Sequence, residues 1–345
     1  MDTMDLSPLT ASIAPLNLRS CLISRHGRLV YDHYREPGTA AEPARINSCT
    51  KSVLSALVCI AMGRGQLPDA ATPASAFFPR LAADSDPRKR SITLEHLLTM
   101  TAGFEWTEFG GLNSFPRMTK TPDWLDFVLE LPLADDPGTR MEYNSGNSQL
   151  LAAALARAAG MPVARFAEER LFGPLGIEAY EWETDPQGVH TGGFGMKLRP
   201  LDMLKFGELY LREGEWSGEP IVPRALAVRS VRPFIESEEP RRGWYGWHWW
   251  SDSYDAAEDA AAEPGETDSQ AADGGSGAEG RQAPALAYFF AQGYGGQFVY
   301  VVPSLDIVVV LTADKWRTDR PPGNVFRKFV APLLAAELRR AVSAG

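Results

Sequence analysis

The sequence has no apolar run approaching the roughly twenty residues that a helix needs to cross a bilayer. Its first thirty residues also lack a basic stretch followed by an apolar one. The expectation is therefore a soluble, cytoplasmic protein with no membrane partner. Cysteine is scarce: Cys21, Cys49 and Cys59 are odd in number, and two of them fall in one helix-like stretch, so a disulfide framework is not expected and a reducing compartment fits. The five histidines are scattered, with no His-Glu-x-x-His and no paired Cys-x-x-Cys, so no metal is expected. The glycine clusters have neither Gly-x-Gly-x-x-Gly nor P-loop spacing, which argues against a nucleotide and leaves a chain expected to need no cofactor. A Gly-x-Ser-x-Gly nucleophile elbow is missing too.

Charge is unevenly placed. Residues 252–280 contain nine acidic side chains and no basic one, and so account for nine of the ten net negative charges. The rest of the chain is close to neutral, so nothing in it attracts nucleic acid. The stretch 251–283, rich in Ala, Gly, Glu and Asp, has the composition of a disordered insertion. It lies just ahead of a strand-rich segment and would screen anionic ligands if a site opens there.

What remains is a globular composition. With 345 residues, 44% of them hydrophobic, the chain can bury a large core as one domain or two lobes. Residues 21–25 (CLISR) and 28–34 (RLVYDHY) alternate either side of His26-Gly27 and read as a β-hairpin at the edge of a sheet. Short helices are predicted at 92–100, carrying His96 as a packed residue, and at 122–131. A helical pair follows at 148–160 and 163–172, then an amphipathic helix at 201–212. Residues 287–292, 297–302 and 306–312 read as consecutive strands, and a last helix, kinked at Pro332, starts near 324. Strands near both ends and helices between them suggest that residues 1–65 and 285–345 form an α/β lobe. Residues 66–250 would be a mainly helical lobe, with a cleft between the two.

One stretch can carry chemistry. Residues 53–62 (VLSALVCIAM) are apolar all round and predict a buried helix, ended by Gly63 and Gly65, with Asn47 or Ser48 at its N-cap. Ser48 and Lys51, the one Ser-x-x-Lys in the chain, lie three apart on one face, so hydroxyl and amine can meet. A serine becomes a nucleophile when a neighbour takes its proton, and burial beside the positive helix end favours the neutral amine that can do so. The Ser48 N–H is offered to a developing oxyanion. Alone, this spacing is better explained by a chance match and a simple N-cap serine. Cys49 could be argued as a thiol nucleophile, but a buried small hydrophobe is the commoner role for a helical cysteine.

Six stretches in order carry more weight: SCTKS at 48–52, ITLEHLLTMTAGF at 92–104, YNSGNSQLL at 143–151, GGFGMKLRPLDMLKFGELYL at 192–211, YGWHWW at 245–250 and AQGYGGQFVYVVP at 291–303. Together they resemble the serine β-lactamase and penicillin-binding-protein-like family, in the class C-like branch that includes esterases and 6-aminohexanoate-dimer hydrolases. The resemblance implies a mixed α/β (α+β) fold, with an antiparallel sheet flanked by helices, a mainly helical lobe, and the active site between them. It implies Ser48 as nucleophile, Lys51 as base, and Tyr143 as general acid/base through a phenolate or a proton shared with Lys51. The family's Tyr-x-Asn is here Tyr143-Asn144-Ser145, with Ser145 in the asparagine's place. Its third motif, Lys-Thr-Gly or His-x-Gly on an edge strand, aligns with Ala291-Gln292-Gly293. Gly293 would then allow close backbone approach and the Tyr294 N–H would complete the oxyanion hole.

Ala291 can offer neither the cation nor the imidazole that helps receive a β-lactam carboxylate. The expectation is thus a serine hydrolase acting on a small ester or amide. The alternatives are a β-lactamase or D-peptidase proper, and a non-catalytic homologue that only binds its ligand. The aromatic residues at 104–106 and 244–250 either wall the cleft for an apolar substrate or pack the core.

Overall fold

Leu18–Arg25 (β1) and Arg28–Tyr34 (β2) pair antiparallel across His26 and Gly27, whose φ values of 51° and 71° give the two-residue turn that matches strand twist. The computed structural model describes residues 4–16, 18–238, 240–255, 285–314 and 325–344. The other six strands of this sheet all come from the C-terminal part of the chain: Ile235–Ser237 (β3), Gly243–Tyr245 (β4), Trp250–Tyr254 (β5), Leu286–Gly293 (β6), Gln297–Val302 (β7) and Ile307–Ala313 (β8). Their order is β2-β1-β8-β7-β6-β5-β4-β3, every neighbour antiparallel. The hairpin is indeed one edge of the sheet.

The period-two alternation of these strands divides the interior into two cores. Leu22, Ala291, Val299, Val301, Val308 and Val310 face the helices on one side. Ile23, Phe290, Tyr300, Val302, Val309 and Leu311 face the terminal helices Ser7–Ile13 and Ala331–Ala344 on the other. Because both faces are covered, β8 is buried along its whole length, which explains its unbroken IVVVLTA run. Helix Pro200–Leu211 lies against β7 and β8 at Gly207, where a Cβ would come within 2.5 Å of Val308 and 2.7 Å of Val299. That closeness explains the one glycine in this helix.

Cys49–Gly63 is the predicted buried helix, and it packs against Ser145–Ala159 in the first core. Asn144 caps the latter, its side-chain oxygen accepting from Gly146 N at 2.7 Å and Asn147 N at 3.2 Å, and Gly160 ends it at φ 66°. His96 reciprocates the Thr93 cap of Leu94–Leu98, a packing role as expected. Strands β3 to β5 belong to the sheet by hydrogen bonding, whereas the lobe division read from the sequence left residues 235–250 with the helices. The first residues of 251–283 are likewise ordered as β5, while 256–284, the bulk of the expected acidic insertion, lie outside the described residues. Residue 324, where the last helix was expected to begin, also lies outside them, and Pro332 follows a widened turn at Phe326–Val330. Among the described residues no single helix is long and apolar enough to cross a membrane.

Candidate active site

Ser48 stands at the N-cap of Cys49–Gly63, yet its side chain makes no capping bond, which leaves the hydroxyl for other partners. It is half-buried, and Lys51, one turn on, is only 1% exposed. The turn before the helix is held by Asn47 at φ 48°, a left-handed conformation that asparagine tolerates. Asn47 Nδ2 donates to the Tyr294 carbonyl at 2.6 Å, tying the Ser48 turn to the start of the β6–β7 hairpin.

The Lys51 amine has three oxygen neighbours: Ser48 Oγ at 3.2 Å, Ser145 Oγ at 3.0 Å and the Gly193 carbonyl at 3.0 Å. It also lies 4.6 Å from the centre of the Tyr143 ring. Burial pulls its pKa down to about 8, against the opposing pull of the Glu108 carboxylate. The neutral amine inferred from the helix pattern is therefore within reach near neutral pH.

Tyr143 is buried, stacked on Trp250 and edge-on to Tyr245. Burial raises its phenol above the ordinary value of 10, and Glu108 raises it further, although a hydrogen bond with Ser48 opposes the shift. Against the expectation of a phenolate or a proton shared with Lys51, the amine faces the Tyr143 ring and burial in an aromatic pocket favours the protonated phenol.

Ser145 links Lys51 to a residue that the sequence did not single out. Its backbone N–H donates to Glu108 Oε2 at 3.0 Å and its hydroxyl donates to Glu108 Oε1. Trp106 Nε1 donates to Oε2 at 2.8 Å. The available signal was an acid set among aromatic residues in FEWTEFGG, a stretch that also carries Glu105. Gly193 was equally unforeseen as a Lys51 partner. Its chain is held where Gly192 N donates to Gln149 Oε1 at 3.0 Å, with Gln149 Nε2 on Asp185 at 2.9 Å. A Cβ at Gly193 would sit 3.0 Å from Lys51 Nζ.

The third stretch also reaches the site. β6 is an interior strand, not the edge strand anticipated, but β5 stops pairing at Phe290, so residues 291–293 are paired only with β7. Ala291 is buried on the core side and brings no charge. At Gly293 a Cβ would come within 2.2 Å of the Ile46 carbonyl oxygen, backbone on both sides. Gly293→Ala is expected to cost about 1–3 kcal/mol through this overlap, read as a lowered midpoint in thermal or urea unfolding, and an unchanged midpoint would mean that the backbone yields.

The aromatic run resolves toward packing. Phe104, Trp247 and Trp249 are buried in the core, and the rim instead carries Phe109 and Tyr294, both exposed, with ring centres 5.9 Å apart. Cys49 is buried, its thiol pushed up by desolvation and donating to the Gln297 carbonyl at 3.4 Å, so it is no nucleophile. A second serine, Ser148, lies 3.0 Å from His248 Nε2, but both are buried, and His248 Nδ1 is 2.8 Å from the Leu98 carbonyl. Burial and Lys51 hold that imidazole down to about 3, so the pair serves packing. Among the described residues no group of acidic, histidine and cysteine side chains could hold a metal ion.

The sequence model of the family described as Beta-lactamase matches residues 20–331. Esterase EstB of Burkholderia gladioli is 30% identical over 180 residues, a match that takes in 45% of this chain and 44% of the esterase, less than half of either. A putative 6-aminohexanoate-dimer hydrolase from Bacillus anthracis superposes with a TM-score of 0.71 at 18% identity, covering 97% of this chain and 82% of its own. A class C β-lactamase from Rhodobacter sphaeroides gives 0.63 at 18% identity, covering 99% and 98%. At such identities the structural likeness speaks for the fold, whereas the family match spans the hairpin, the Ser48 helix, Tyr143 and the Gly293 strand. The chain belongs to the Beta-lactamase family.

Proposed function

We propose that this protein is a serine hydrolase that cleaves a small ester or amide through an acyl-enzyme on Ser48. The observation that carries this reading is a half-exposed hydroxyl 3.2 Å from a buried amine whose pKa is pulled down to about 8. Ser48 Oγ attacks the carbonyl carbon as its proton passes to Lys51 Nζ. The tetrahedral oxyanion lies toward the N–H groups of Ser48 and Tyr294, and its collapse breaks the bond to the leaving alcohol or amine, which takes the proton. Water then attacks the acyl carbon, Lys51 accepts the water's proton, and Ser48 regains its own as the acid leaves. Tyr143, kept neutral, orients the Ser48 hydroxyl. We read the working unit as two lobes, the sheet with its terminal helices and the helical segment between, with this site at their junction.

The uncharged Ala291 and the exposed Phe109–Tyr294 rim favour a neutral, apolar substrate over a β-lactam carboxylate. The esterase named among its relatives supports an ester first. Incubation with a fluorophosphonate and a p-nitrophenyl ester, read by adduct mass and p-nitrophenol release, tests the proposal. A single adduct on Ser48 with ester turnover is expected. Turnover of a chromogenic cephalosporin in place of the ester would substitute a β-lactamase, and no adduct in folded protein would leave a ligand-binding homologue.

A further inference from the structure

The donors and acceptors around Lys51 do not match unless one hydrogen is placed outside the Ser48, Lys51 and Tyr143 group. The Gly193 carbonyl can only accept. A serine hydroxyl can do either, but it has a single hydrogen. In Ser145 that hydrogen is committed, because its hydroxyl donates to Glu108 Oε1, while Oε2 takes Ser145 N–H and Trp106 Nε1–H. With three donors converging on it and 8% exposure, Glu108 is turned into the protein and away from a ligand. Toward Lys51, Ser145 is then an acceptor and nothing else.

A neutral lysine amine has two hydrogens and one lone pair. If both hydrogens go to the two fixed acceptors at 3.0 Å, Ser145 Oγ and Gly193 O, the lone pair is left for the third and longest neighbour, the Ser48 hydroxyl at 3.2 Å. We propose that Glu108 is a positioning residue for the base: by holding the Ser145 hydrogen it aims the Lys51 lone pair at Ser48. Without that carboxylate the Ser145 hydroxyl is free to donate to Lys51 and to compete with Ser48 for the same lone pair.

Glu108 also acts on Lys51 by charge, since its carboxylate favours the ammonium form and offsets part of the burial. The other groups facing this centre do not substitute for it. Cys49 on the same helix is neutral, as are Tyr143 and Tyr245, all raised by desolvation, and His248 is held uncharged. Glu142, also raised by burial, is engaged by Arg140, which in turn reaches Asp135. Removing the Glu108 charge therefore shifts Lys51 toward the neutral form at lower pH.

The inference rests on the proposed role of Lys51, and the test separates the two. Glu108→Gln keeps the shape and supplies an amide that can donate to Ser145, freeing the hydroxyl's hydrogen. Expected are a fall in kcat of about tenfold or more with KM little changed, and an acid limb of kcat/KM displaced to lower pH by about one unit. Ser145→Ala added to Glu108→Gln removes the competing hydroxyl and is expected to recover part of the loss, a non-additivity that a merely structural role does not give. Losses that simply add, with the limb unmoved, would overturn the proposal. Should Glu108→Gln not fold, Glu108→Asp, too short to reach Ser145, is expected to show the same loss and the same recovery. Lysine ε-carbon NMR, with the Lys51 signal assigned by its loss in Lys51→Met, reads the titration directly in wild type and Glu108→Gln. An inactive wild type would sink the hydrolase reading, while a Lys51 titration unchanged by Glu108→Gln would sink this one.

Discussion

Ser48→Ala is expected to lower kcat/KM for a p-nitrophenyl ester by at least about 10⁴-fold and to abolish the fluorophosphonate adduct. Removal of a serine nucleophile from a hydrolase costs up to about 10⁶ in kcat. Among the described residues beside Ser48 no other side chain stands ready to replace it: Ser145 is committed to Glu108 and Lys51, and Cys49 is a buried thiol raised by desolvation. The substitution should be almost silent in stability. Ser48 makes no capping hydrogen bond, so the usual penalty of about 1 kcal/mol for losing a helix cap does not apply. Rate, adduct mass and a thermal melt on one preparation settle the matter. Retained turnover in a protein that melts like wild type would remove Ser48 from the mechanism.

Lys51→Met is expected to cost about 10³-fold, in the middle of the range for loss of a general base. The pH dependence is more telling than the size. In the wild type, kcat/KM should rise as the ammonium gives up its proton, through a pH of about 8, and this limb should be missing from the residual activity of the variant. Stability follows by linkage. The folded value of Lys51 lies below its ordinary 10.5, so between about pH 8 and 10.5 the unfolded chain holds the extra proton and the folded state gains stability as pH rises. Urea midpoints measured across that window should climb in wild type relative to Lys51→Met. Parallel curves, or a rate limb that survives in the variant, would mean that Lys51 is not the titrating base.

The polarity of the tyrosine shows where local reading stopped. Tyr143 was recognisable from its motif, and a lysine nearby suggested a phenolate. Burial in a pocket to which Trp250 and Tyr245 contribute from far along the chain raises the phenol, Glu108 adds to the shift, and the protonated form is favoured. The aromatic run at 245–250 could equally have lined a cleft or filled a core, and packing of Trp249 against Phe206, Tyr210 and Phe289 decided for the core. The third-motif strand was placed in register with the site, but its position inside the sheet depended on pairing with β5, most of which falls at the start of the segment read as the insertion.

The sequence by itself determined the elements whose signals are short in range. Alternation marked the hairpin, short apolar stretches set off by turns marked the three C-terminal strands, a longer apolar run marked the buried helix, and a spacing of three put Ser48 and Lys51 on one face of it. Only the tertiary structure decided what surrounds the Lys51 amine. Its other two partners are Ser145 and Gly193, 94 and 142 positions away, and the carboxylate behind Ser145 comes from a third segment. No periodicity links such residues, because what joins them is the burial of one amine, which gathers acceptors from wherever the fold brings the chain within 3 Å.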